Sequence, residues 1–209
     1  MERTTSIKEA KEIFGSNFIG PEELVSISKT MGINVPLVNP GIPFDIEYLR
    51  DKGSDYLLIL GVCELDDDEF LTINSLRKKF GTNPDEAEPC FYNQDWYSEE
   101  NFANRELENK WFLIKKNIFD DSRAASPKLL SEKYAFPSAI LCVYTFFVFW
   151  HWQSEILWPN EFIWCDDIDH NGDAIYVGRY YDSKGINKNG FNIHRHLSIG
   201  NNYGSIEIL

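Results

Sequence analysis

The sequence predicts an α+β fold, in which a helical N-terminal part and a buried central helix precede a C-terminal antiparallel sheet. Three patterns predict it: helix start and stop signals in the first third, an unbroken apolar block at Phe136–Trp152, and strand-like runs beyond residue 160. A chain of 209 residues is long enough for a helical N-terminal lobe with one strand at 1–85 and an α+β C-terminal domain at 86–209. One integrated domain is the alternative.

The first 81 residues carry four short predicted helices, each opened by a capping residue or a proline and closed by a glycine. Ser6 and Glu9 have the spacing of a capping box, in which each side chain binds the backbone amide of the other residue. Gly15 then ends this helix. The same signals predict further helices from Pro21 to Gly32, from Asp45 to Gly53 and from Thr72 to Gly81.

The block FPSAILCVYTFFVFWHW, Phe136–Trp152, is the least polar part of the chain, and only Ser138, Thr145 and His151 interrupt it. A helix that is apolar on all sides must be surrounded by protein or by lipid. At about 1.5 Å per residue the block reaches only about 25 Å, which is short of a bilayer span, and no Lys/Arg-rich flank accompanies it. We therefore predict a helix buried at the centre of the fold, and no membrane partner.

Short apolar or alternating runs predict the strands. A hairpin between two of them is indicated by Asn171-Gly172, a dipeptide typical of tight turns. The predicted strands are Tyr56–Val62, Lys110–Ile118, Phe162–Cys165 and Ala174–Tyr181, with brief runs at Phe191–His196 and Ser205–Leu209.

The charge balance limits the partners. The chain has 33 Asp and Glu against 20 Lys and Arg, a formal charge of −13, which disfavours direct binding to nucleic acid. An acidic surface that occupies the basic groove of a nucleic-acid-binding protein is one alternative, and plain solubility is the more common one. The four cysteines lack CxxC spacing and the N-terminus lacks an apolar signal region, so a cytoplasmic location is expected.

The loop Asp167–Asp173 carries the sharpest local motif. Side chains with an acidic or amide oxygen occupy every second position, at Asp167, Asp169, Asn171 and Asp173, and Gly172 allows a sharp turn. The ligands of a Ca²⁺ loop have this spacing. The twelfth position of an EF-hand loop, which requires a bidentate Glu, is Gly178 here. The four residues are therefore a candidate calcium site, with a β-turn in which Asp and Asn bind their own backbone as the favoured alternative.

Two histidines, His194 and His196, lie on the same side of a predicted strand and would chelate a transition metal if a third ligand approached. A polar surface strand is the favoured alternative. The sequence contains no GxSxG motif, no glycine-rich phosphate loop and no cysteine in a recognisable catalytic context. We assign no catalytic or cofactor-binding residue. Trp96 and Tyr97 are either a stacking platform for a ligand or, more commonly, part of the core.

Six segments resemble an uncharacterised bacterial protein family, best known from hypothetical proteins of candidate-phylum genomes. They are Asn17–Leu24, Ile42–Leu49, Phe91–Ala103, Lys110–Arg123, Phe136–Trp150 and Asp166–Gly185. The resemblance implies no activity, because no function or catalytic residue is assigned to that family.

The C-terminal half also resembles C-type-lectin-like modules, including formylglycine-generating-type domains, in its order of helix, strands and Gly/Asn-rich loops. It lacks their C-terminal cysteine pair, and GSIEIL replaces a basic ending. The resemblance implies a non-catalytic binding module whose C-terminal loops, Ser183–Asn202, present a surface for a protein or glycan ligand. The alternatives are a metal-assisted enzyme that uses the Asp167 loop or His194 and His196, and the acidic decoy described above.

Overall fold

The computed structural model describes residues 5–66, 68–180, 182, 184, 189–195 and 199–209. It confirms the α+β class. The helices are α1 (Ile7–Phe14), α2 (Pro21–Met31), α3 (Ile46–Lys52), α4 (Ile73–Phe80), α5 (Pro127–Leu130) and α6 (Ala139–Gln153). The strands are β1 (Phe18–Ile19), β2 (Tyr56–Leu60), β3 (Trp111–Lys115), β4 (Phe162–Ile168), β5 (Ala174–Gly178), β6 (Asn192–His194) and β7 (Tyr203–Gly204).

The predicted helix starts are confirmed. Ser6 and Glu9 exchange both bonds of the capping box, and the Asp45 carboxylate accepts the amide of Glu47. Pro21 occupies the first turn of α2, and Thr72 caps α4 by accepting the amide of Ser75. Each of these signals acts within a few residues, which is why the sequence reveals it.

The strands form two mixed sheets. In the first, the order is β1-β2-β3, with β1 parallel and β3 antiparallel to β2. In the second, the order is β6-β5-β4-β7. The predicted antiparallel arrangement holds for β6, β5 and β4, but β7 runs parallel to β4. The predicted run at Ser205–Leu209 is not assigned as a strand, and β7 lies just before it. Its last residues nevertheless pair antiparallel with β3 around a bridge between Ile208 and Ile114. Leu113 and Leu209 exchange backbone hydrogen bonds of 3.0 and 3.1 Å, and the Lys115 amide donates to the carbonyl of Glu207 at 2.9 Å.

Helix α6 is the centre of the core, as predicted. Every residue from Ala139 to Phe149 is buried, and the helix packs against α2, α4, β4 and β5. The Tyr144 hydroxyl donates a 2.8 Å hydrogen bond to the carbonyl of Leu60, which fixes α6 to the first sheet. The helix begins at Ala139 and not at Phe136, because Ser138 supplies the capping oxygen, which accepts the amide of Leu141.

The first sheet and the core both cross the boundary predicted at residue 85. Strand β2 precedes this boundary and pairs along its whole length with β3, which follows it. One hydrophobic cluster contains residues from Ala10 to Ile206. The N-terminal part also holds a second strand, β1, whose two residues are too short to give a periodic signal.

Candidate binding surface

Strand β4 bulges where it reaches the predicted site. Trp164 pairs with Tyr176 and Ile168 pairs with Ala174, so three residues of β4 lie opposite the single residue between those partners on β5. Such a bulge re-aims side chains and is frequent beside functional sites. Here it exposes Asp166 and Ile168 on one face and buries Asp167 on the other.

Three recesses meet at this bulge, with volumes of about 210, 500 and 530 Å³. Asp166 lines all three of them, and Arg105, Phe136 and Ile168 each line two. We call this region, defined by Arg105, Phe136, Asp166 and Ile168, the Asp166 surface. The Ile168 side chain is an apolar group in the middle of it that is 61% exposed.

Arg105 holds the acidic side of the Asp166 surface together. Its two terminal nitrogens bind both carboxylate oxygens of Asp166, at 2.7 and 3.2 Å, and Nη1 also lies 2.8 Å from Asp167 Oδ1. The Asp166 and Arg105 side chains remain nearly half exposed, at 43% and 44%. Both groups are therefore accessible to a ligand.

Asp167, the first predicted calcium ligand, faces the interior. Its Oδ2 accepts the backbone amide of Ala139 at 2.6 Å, at the start of α6, where a carboxylate is favoured by the helix dipole. Burial raises the pKa of Asp167, although this amide and Arg105 act in the opposite direction. The Asp167 carboxylate therefore already accepts hydrogen bonds from two groups of the protein, the Ala139 amide and the Arg105 guanidinium.

Asp169 closes the β4–β5 turn. Its Oδ1 accepts the amides of Asn171 at 2.9 Å and Asp173 at 2.8 Å, and its Oδ2 binds Arg195. Burial alone raises the pKa of Asp169, but these three donors together lower it to about 2. The hydrogen bonds from the two backbone amides are those expected of the β-turn interpretation, and Gly172 has a φ of 84°. Calcium binding by Asp167, Asp169, Asn171 and Asp173 stays a prediction.

Glu100 and His170 form a second polar pair in the 500 Å³ recess. Glu100 Oε1 lies 2.6 Å from His170 Nδ1, and Glu100 Oε2 accepts the backbone amide of His170 at 3.0 Å. The His170 side chain is 65% exposed, while that of Glu100 is buried. One ligand atom each from Glu100, Asp169 and His170 lies within 4.8 Å of the others, which is close enough to share a metal ion. The Arg195 guanidinium already lies among them, 3.7 Å from Glu100 Oε1.

The other sequence candidates lie away from this surface. His194 is half-buried beside Tyr176, and burial lowers its pKa, while His196 is outside the described residues. Of the proposed stacking pair, Tyr97 is fully buried. The Trp96 ring is covered by Arg195, whose guanidinium carbon lies 4.3 Å from the centroid of the Trp96 ring. Sequence reasoning missed Glu100, Arg105 and Arg195. No local motif marks them, because their partners lie between 26 and 70 residues away.

Comparison of the chain with protein-family models, with curated proteins and with solved structures gives no match in any of the three. Among the described residues, no helix combines the length and the apolar character that crossing a membrane requires.

Proposed function

We propose that this protein is a non-catalytic binding module, and that its Asp166 surface binds an extended protein segment in which basic and apolar residues alternate. The observation that carries the proposal is the position of Asp166, which is shared by three recesses and lies two residues from the exposed Ile168. Neighbouring recesses that share a lining residue suit a chain that places successive side chains in them.

Charge supports a basic partner. The chain carries a formal charge of −13. The recesses are also lined by Glu106, Glu108 and Asp173, against Lys110, which pairs with Glu108, and Lys128. Such a field steers a basic segment towards the surface and contributes mainly to the association rate. The acidic decoy is a special case of this proposal, in which the partner's basic surface is one that binds nucleic acid.

The test uses synthetic peptides that alternate lysine with leucine, and counterparts that alternate glutamate with leucine. We expect the lysine peptides alone to bind, with affinity that falls as salt is added. Asp166→Asn should weaken binding about five-fold, the effect of losing one partly exposed charge pair. Isothermal titration calorimetry gives both quantities.

Asp51→Asn is the matched control, because Asp51 is exposed on α3, away from the three recesses. Equal weakening by both substitutions would contradict the proposal, since it would show attraction by net charge alone. Ile168→Ser tests the apolar contribution and should also weaken binding without changing the salt dependence.

A metal-assisted enzyme is the second proposal, and the Glu100–Asp169–His170 cluster favours it. Carboxylate oxygens and an imidazole nitrogen are ligands that Zn²⁺ accepts. Elemental analysis of the purified protein, with Tm measured after addition of Zn²⁺ or Ca²⁺, tests it. Bound metal, or a rise in Tm that is lost in His170→Ala, supports the metal site that such an enzyme requires. A metal-free sample with unchanged Tm removes it.

We also propose a reducing, cytoplasmic location. All four cysteines are free in the structure, and Cys90, Cys142 and Cys165 are buried. Burial raises the pKa of both Cys90 and Cys165, which makes these thiols poor nucleophiles. Thiol titration of protein purified without reductant tests this location: four titratable thiols after denaturation support it, and fewer contradict it.

A further inference from the structure

A separate recess of about 410 Å³ lies between the loop that follows α4 and the chain segments before β6. The described residues that line it are all uncharged, although a quarter of this chain is charged. It is lined by Thr82, Asn83, Pro84, Tyr92, Asn93 and Gly190. A ligand that carries a phosphate, a carboxylate or an amine would find no counter-charge in this lining.

Backbone packing builds the recess and holds Tyr92 in place. The Tyr92 amide donates to the carbonyl of Phe191 at 2.9 Å, and the Phe191 amide donates to the carbonyl of Cys90 at 2.8 Å. A Cβ atom on Gly190 would lie 2.1 Å from the carbonyl carbon of Phe91, so only glycine permits this approach. The backbone of Tyr92 is therefore fixed, and the residue is 41% exposed.

The polar groups of the recess have unused hydrogen-bonding capacity. Within the described part of the chain, the side chains of Thr82, Tyr92 and Asn93 have no hydrogen-bond partner, and Asn83 uses only its Oδ1, which accepts the amide of Asp85 at 3.1 Å. Amides and hydroxyls both donate and accept, as ligand hydroxyl groups require. The exposed Tyr92 side chain beside them offers apolar surface to a ring.

We propose that this recess binds a neutral sugar, whose apolar ring face stacks on Tyr92 and whose hydroxyls bind Asn83, Asn93 and Thr82. A nucleobase also stacks on an aromatic ring, but it presents few polar groups at its edge. An open recess with four hydroxyl- or amide-bearing side chains matches a ligand with many hydroxyls better. The inference is independent of the Asp166 surface, because the two share no lining residue.

Saturation-transfer NMR with the whole protein tests the inference. The probes are glucose, galactose, mannose, N-acetylglucosamine, maltose and lactose, compared with glucuronic acid, glucosamine, adenosine and uridine. We expect transfer to at least one neutral sugar and to none of the comparison compounds. Tyr92→Ala should weaken binding about ten-fold or more, since it removes the stacking surface.

Tyr48→Ala is the matched control, because Tyr48 is exposed to a similar degree, 39%, but lies on α3. This variant and Asp166→Asn should both bind the sugar as the native protein does. Three results would overturn the inference: no transfer to any neutral sugar, preferential binding of the nucleosides, or unchanged binding in Tyr92→Ala. Loss of peptide binding alone would leave this inference standing and remove the proposed function.

Discussion

At the scale of single residues, Asp169 is a carboxylate without solvent contact whose charge is balanced within the fold. Its side chain has no exposed surface, and Arg195 and two backbone amides supply its hydrogen bonds. A buried charge is tolerated only with such partners. The turn between β4 and β5, and with it the position of His170, depends on this one side chain.

Removal of Arg195 should therefore be costly. Arg195→Met leaves Asp169 buried without a cation, and we expect the free energy of unfolding to fall by about 3 kcal/mol. Arg50→Met is the control, since the Arg50–Glu47 pair is exposed and should contribute about 1 kcal/mol or less. Urea denaturation measures both. If Arg195→Met costs as much in an Asp169→Asn background as alone, the two side chains are not coupled.

Asp169 should also make the stability of the fold depend on pH in the acidic range. Its pKa of about 2 in the folded protein lies below the ordinary value of 3.8, so the unfolded chain takes up the proton first. The contribution is present above pH 3.8 and is lost as the pH falls towards 2. The Tm difference between native protein and Asp169→Asn should shrink over that range. A difference that stays constant down to pH 2 would contradict the assignment.

Whether a contact between two side chains can be predicted depends on how far apart the two residues lie in the sequence. The Ser6–Glu9 box and the Asp45 cap are visible in the sequence because both partners lie within one helical turn. The Arg105–Asp166 pair joins residues 61 positions apart, and Glu100 binds His170 across 70. Two residues that lie so far apart along the chain form no recognisable motif in a single sequence, so only the fold reveals these pairs.

At the scale of elements, α6 carries the largest share of the core. Phe147 packs in an aromatic cluster, with ring centroids 4.6 Å from Phe80, 5.0 Å from Phe91 and 6.3 Å from Phe191. Phe80 comes from α4, and Phe91 and Phe191 adjoin Tyr92 and Gly190, which line the proposed sugar recess. Helix α6 therefore supports this recess as well as the core.

Truncation at the centre of α6 should destabilise the whole protein. Phe147→Ala is expected to cost about 3–5 kcal/mol, because the cavity cannot be filled by neighbours that are themselves rings. Val25→Ala on α2 is the control, since Val25 is 60% exposed and should change stability by less than about 0.5 kcal/mol. Chemical denaturation gives both values, and a similar small effect at the two positions would refute the central role of α6.

The apolar block predicted this helix but not its neighbours. Uniform apolarity shows that α6 is buried on every side, yet it gives no direction in which any particular side chain faces. The sequence also gives no sign of the bulge in β4, because the bulge depends on how β4 pairs with β5. The sequence located the polar turn at Asp167–Asp173 and did not reveal that Asp166 and Ile168 are exposed together beside it.

At the scale of the whole molecule, two mixed sheets and one continuous cluster enclose α6. The α+β class follows from local patterns, while the parallel pairing of β7 with β4 does not, since about 40 residues separate them. The negative charge of the whole chain and the exposed groups of the Asp166 surface together favour a basic partner. The charge by itself selects no position on the surface, and the three recesses provide one.

Hydrogen–deuterium exchange with and without the lysine–leucine peptide tests the location of binding most directly. If the peptide binds at the Asp166 surface, exchange should become slower in the C-terminal end of β4, in residues 100–105 and in residues 127–136, and should not change in α3. Slower exchange confined to other parts of the protein, or spread evenly over its acidic surface, would contradict a binding site centred on Asp166.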